Sequence, residues 1–156
     1  VIGVLVAAHV VAALLTIGPI TVASSLFPRV TRALIADPLD PRAGAAAVLL
    51  NRICRIYAVV SIAVPVLGTS VAVLSGKFGQ AWLSTSVALT LAAALVLVLG
   101  ILPAQKYVLA QAGLQHPSDL ASYPTRAAIL SGVFNLLWVA VAVLMVLQPG
   151  APRHGA

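Results

Sequence analysis

Few side chains in this sequence could do chemistry, and most of those are cationic. His9 is the one ionisable residue set well inside an apolar run. An ionisable group at that depth is a functional candidate, because an apolar medium penalises its charge. A haem or metal centre would need further ligands. His116 lies in a loop at one end of the helices and His154 in the tail at the other, so neither can join His9 within one copy. His9 therefore reads first as a neutral imidazole bonded to a hydroxyl or carbonyl of a neighbouring helix. Ser86, Thr69 and Thr90 lie at suitable depths. Contact with a partner subunit or a quinone, and ligation of a cofactor, remain alternatives for His9. No cofactor and no metal is expected. Cys54 is the single cysteine, so there is no internal disulfide framework.

The densest group is basic. Arg29 and Arg32 are spaced i, i+3 and face Arg52 and Arg55 across one loop. Topology control and pairing with Asp37 and Asp40 is one reading. Contact with an anionic lipid such as cardiolipin, or with an acidic partner surface, is the sharper one. Ser131, Gly132, Asn135 and Trp138 fall on or near one helix face. Small residues let helices approach and Asn can bond across them, so this face serves packing or docking. Gly18-Pro19, and Pro65 with Gly68, mark kinks. The acids are Asp37, Asp40 and Asp119, none inside an apolar run, and there is no Glu. A pump or ion-coupled transporter usually needs intramembrane carboxylates. No nucleotide loop, nucleophile–base set or metal-spaced Cys/His cluster is present. No catalytic residue is assigned, and the chain is read as not an enzyme.

These residues must be positioned by four apolar runs, residues 1–27, 56–75, 81–102 and 127–147, none of which holds a charged residue. Each is long enough for a helix to cross about 30 Å of hydrocarbon. With 62% hydrophobic and 8% charged residues, a soluble domain is excluded. The expected fold is all-α: a polytopic four-helix membrane bundle spanning residues 1–148, with residues 149–156 a disordered outer tail. The first run is read as a retained helix, being too long for a signal segment and lacking a basic start. Arg29, Arg32, Arg42, Arg52, Arg55, Lys106 and Arg126 lie at one set of helix ends, against Lys77 and Arg153 at the other. Basic residues collect on the cytoplasmic side, so both termini are expected outside a bacterial plasma membrane. The same bias explains the net charge of +6 without nucleic acid. Phe27, Tyr57, Tyr107 and Tyr123 fall at the inner border, and Phe78 and Trp82 at the outer one. Leu26-Phe-Pro-Arg29 and Ile101-Leu-Pro-Ala104 end the first and third runs, and Arg52 and Arg126 open the second and fourth. That spacing suggests two similar hairpins.

The stretch from Ala7 to Arg29, with His9 and then Gly18-Pro19, resembles a family of small four-helix integral membrane proteins of actinobacteria. Those proteins carry a histidine early in helix 1, followed by a Gly-Pro or Gly-Gly step. The resemblance implies the four-helix architecture and no particular activity. The Ala/Val/Leu/Arg-rich composition also suits such a source. In size and class the chain is similar to the accessory subunits, one of them an association factor, of the actinobacterial cytochrome bcc–aa3 respiratory supercomplex. The expectation is a non-catalytic accessory or assembly subunit of such a complex, with other membrane subunits as partners. A small oligomeric transporter or channel is the alternative, and a haem- or quinone-binding redox protein using His9 the second alternative.

Overall fold

The computed structural model describes residues 1–77, 79–111 and 120–149, and all regular structure among them is helical. Among these residues six α-helices occur: α1 Ile2–Ala36, α2 Pro41–Val60, α3 Ala63–Leu74, α4 Ala81–Leu95, α5 Leu102–Gln111 and α6 Tyr123–Leu147. A π-helical segment, Val96–Ile101, joins α4 to α5. The helices stack end to end into four rods: α1, α2 with α3, α4 through α5, and α6. Each rod is long and apolar enough to cross a membrane.

The rods run past the ends of the apolar runs. α1 continues through Pro28 to Ala36, where the run stops at residue 27. The second rod starts at Pro41 rather than 56. The third passes Pro103 to reach Gln111, and α6 opens at Tyr123 rather than 127. Hydropathy marks where a helix stops being apolar, not where its hydrogen bonding stops. The extra turns are held by a core in which Leu34, Ala43, Ala47, Leu50, Val108 and Leu120 are buried together with Ala23 and Phe27 from the end of the first run. At about 1.5 Å per residue, α1 is about 50 Å long, well beyond a hydrocarbon thickness of about 30 Å.

Local chemistry sets the ends. Asp40 caps α2 by accepting the Arg42 N–H (2.9 Å), and Pro41 occupies the first turn, where no N–H is needed. Asp37 ends α1 in an extended conformation, and its carboxylate accepts the Leu39 N–H. The turn between α3 and α4 uses Gly76 at φ 66° and Gly79 at φ 105°, a region that favours glycine. Lys77 in that turn donates to Gln148 at the end of α6 (3.2 Å).

Prolines break the rods in different ways. Pro65 has no N–H for the Ser61 carbonyl, which instead accepts the Val64 N–H (3.0 Å), and the rod breaks at Ser61–Ile62. Ahead of Pro103 the chain widens into the π segment. α1 runs through Gly18-Pro19 and Pro28 without interruption.

α1 packs on α2, α3 and α6, α4 packs on α6, and α2 packs on α5. The rods therefore neighbour one another in chain order, as two hairpins side by side would, and as any up-and-down bundle would. Ile20, Ala93, Leu97, Ile101 and Phe134 form a second core beside the first. Of the expected outer tail, Pro149 alone is described, while Phe78, His116, Asp119 and His154 lie outside the described residues.

Candidate functional site

Apart from His9 and the Lys77–Gln148 bond, the side chains that hydrogen-bond between rods gather at one level near the ends of the apolar runs. Thr16 and Ser86, also buried, bond within their own helices. Between α1 and α6, the Ser131 hydroxyl donates to the Ser24 carbonyl (2.8 Å), and Asn135 Nδ2 donates to Ser25 Oγ (3.2 Å). Between α2 and α5, Asn51 Nδ2 donates to Gln105 Oε1 (3.1 Å), and Gln105 Nε2 lies 3.5 Å from Cys54 Sγ. Gln105 is among the most buried polar side chains, with 1% of its surface exposed. A cavity of about 10 Å³ sits in this layer, lined by Ser24, Phe27, Ile101, Gln105 and Ser131 among others. That is room for about one water molecule. Two buried atoms of the layer have no protein partner, Asn135 Oδ1 and Trp138 Nε1. The Trp138 ring meets Phe134 edge-on, with centroids 6.3 Å apart. Thus Ser131 and Asn135 face α1, and Trp138 packs on the same side. Gly132 does not: it is exposed, with open space where a Cβ would stand.

His9 lies nearer the other end of the bundle, on the stripe of α1 that continues through Thr16, Ile20 and Ala23. Its Nδ1 is 2.9 Å from the Val64 carbonyl oxygen on α3. A carbonyl can only accept, so Nδ1 carries the proton, and in the neutral ring Nε2 keeps a lone pair. The ring rests against Gly68, where an added Cβ would stand 2.8 Å from His9 Cε1. The partner is a carbonyl rather than one of the hydroxyls named from sequence. Ser86, Thr69 and Thr90 each donate to a carbonyl one turn back on their own helix. Gly68 reads from sequence as part of a kink, and its role as the seat of the His9 ring was not visible there.

The cations ring the polar layer from outside. Arg52 follows Asn51, Arg55 follows Cys54, Lys106 follows Gln105, Arg126 precedes Ala127, and Arg29 is two residues beyond Phe27. All five are exposed, as is Arg32 one turn further from the apolar section. Each rod therefore carries at least one cation at a common level. The Arg126 guanidinium lies 5.8 Å from the Tyr123 ring centre. Tyr123 in turn stacks on Tyr107 of α5, centroids 4.6 Å apart and planes within 10°. Sequence reasoning placed these tyrosines at a border and missed the stack. The missed amide pair, Asn51 with Gln105, has one sequence signal: two uncharged amides near the ends of adjacent runs, each preceded by an apolar residue and followed by a cation.

Among the described residues, no group of three or more His, Cys, Asp or Glu side chains could hold a metal ion. Comparison with protein-family models, with curated proteins and with solved structures returned no match.

Proposed function

We propose that this chain is a non-catalytic accessory or assembly subunit of a larger membrane complex, with its cationic collar on the cytoplasmic side and both termini outside. The observation that carries the reading is how little apolar surface the rods bury on one another. In their most apolar windows, 6, 11, 17 and 17% of residues are buried inside the bundle. The remainder needs a cover of lipid or of other helices. The interior supports a structural role. The polar layer is spent on tying helices, the cavity within it has room for about one water, and no carboxylate stands inside an apolar run.

The complex that the chain's class resembles is the cytochrome bcc–aa3 assembly, and co-purification tests that link. The tagged chain would be extracted from membranes in mild detergent and examined by mass spectrometry and absorption spectroscopy on one sample. Cytochrome subunits in stable proportion are expected. A lone, colourless chain would refute the accessory reading, and transport activity in liposomes would then become the next measurement. A haem band from the isolated chain would instead favour the redox reading of His9.

A further inference from the structure

The aromatic stack at the α5–α6 seam is a specialised part of the cationic collar. Arg126 sits over Tyr123, and Tyr123 is itself stacked flat on Tyr107 of the neighbouring helix, which holds the ring that carries the guanidinium. A guanidinium held over an aromatic face keeps its in-plane N–H donors free for an anion, and phosphate matches that planar fork. Lys106, exposed and next to Tyr107, brings a second positive charge to the same end of the seam.

Below this end the seam changes character. An added Cβ on Gly100 would stand 2.9 Å from the Leu130 side chain, so the π segment and α6 meet closely there. Their neighbours in sequence, Leu99 and Ile129, are 70% and 60% exposed. The cations and paired rings thus stand at one end of a seam whose next turns carry exposed apolar side chains. An acidic protein surface would match the cations but would have no use for those apolar side chains. An amphiphile with a phosphate and acyl chains matches both.

We propose that the end of the α5–α6 seam binds the phosphate of an anionic glycerophospholipid. Arg126 is the principal phosphate ligand, Lys106 the second charge, Tyr107 and Tyr123 the wall, and Leu99 and Ile129 the bed for an acyl chain. The site rests on the membrane placement proposed above.

The test uses the full chain, purified in detergent and stripped of lipid. It would be titrated with dihexanoyl phosphatidylglycerol, with dihexanoyl phosphatidylcholine and with inorganic phosphate, and bound lipid counted by native mass spectrometry. The expected result is retention of phosphatidylglycerol in preference to phosphatidylcholine. Arg126→Gln should weaken it roughly tenfold, the scale of one charge-assisted hydrogen bond. Lys106→Gln, an exposed change that leaves the stack intact, should weaken it less but measurably, and Arg42→Gln should leave it unchanged. If Arg126→Gln loses helicity, Lys106→Gln and Arg126→Lys carry the test, the latter keeping the charge without the planar fork. Equal retention by the wild type and these variants would overturn the site, as would equal binding of the two lipids. Displacement of the lipid by equimolar inorganic phosphate would show a simple anion site and also overturn it. A chain recovered from the soluble fraction of cells would refute the membrane placement itself, whereas a membrane-extracted chain with no lipid preference would refute the lipid site alone.

Discussion

Replacing Gly68 with Ala should weaken the bundle through one identifiable contact, the His9 ring. The new Cβ would stand 2.8 Å from His9 Cε1, against an ordinary carbon–carbon separation of about 3.5–4.0 Å. The ring must shift by several tenths of an ångström or more, and the 2.9 Å bond to the Val64 carbonyl lengthens with it. Overpacking of this kind costs about 1–3 kcal/mol. A hydrogen bond between membrane helices adds about 0.6 kcal/mol on average. Against these stands the better helix propensity of Ala, about 1 kcal/mol. The net expectation is destabilisation by about 1–2 kcal/mol, roughly a five- to thirty-fold change in the unfolding equilibrium. The assay is SDS-induced unfolding in mixed micelles, followed by far-UV circular dichroism, for the wild type, Gly68→Ala, His9→Ala and the double variant. With His9 already truncated, the methyl added at position 68 has room, and the second change should be neutral or stabilising. The reasoning is refuted if Gly68→Ala destabilises by the same amount in both backgrounds, because the cost would then not come from the His9 ring.

Gln105→Leu should destabilise by about 1–3 kcal/mol, since it leaves buried Asn51 without its partner, and Asn51→Leu on top should recover part of the loss; the same unfolding assay reads both. Pro65→Ala returns an N–H to the Ser61 carbonyl, so the break at Ser61–Ile62 should close into continuous helix, seen as a longer distance between spin labels at positions 48 and 73. With Pro149→Cys a membrane-impermeant maleimide should label intact cells, and with Asp40→Cys only permeabilised ones, while buried Cys54 stays unlabelled; the reverse pattern would overturn the proposed orientation.

The four rods were legible because the signal for them is strong and local. A run free of charged residues reports its own transfer energy, and the borders at 27, 56, 102 and 127 fall at the level where Phe27, Ile101 and Ala127 line the small cavity. Beyond those borders apolarity gives no signal; the Ala-rich stretch 42–50 and the continuation past Pro103 towards Gln111 read as helix from composition, whereas the full extents, 28–36 and 41–55, did not. Residues 28–36 and 41–55 carry charges, yet they stay helical because Leu34, Ala43, Ala47 and Leu50 bury against Val108 and Leu120, distant in sequence. The group Ser131, Asn135 and Trp138 could be placed on one face by its i, i+4 and i+3 spacing, but Gly132 falls off it and the partners Ser24 and Ser25 could not be named. Seven basic residues, Lys106 and Arg126 among them, were already visible at one set of helix ends, four of them clustered at one loop. That Arg126 lies over Tyr123, and Tyr123 on Tyr107, depends on which helix ends stand side by side.

Sequence by itself determined the helical class, the four apolar runs long enough to cross a membrane, the excess of basic residues at one set of ends and the scarcity of chemical groups inside. Each of these is a sum over residues adjacent along the chain, so it can be read before any fold is known. Tertiary structure alone decided that His9 bonds the Val64 carbonyl over Gly68, that Asn51 meets Gln105, and that Tyr107, Tyr123 and Arg126 stack. Such pairings depend on the rotation of each rod about its axis and on its depth against its neighbours. An apolar rod exposes much the same surface at every rotation, so its own residues leave that choice to the contacts made when the rods meet.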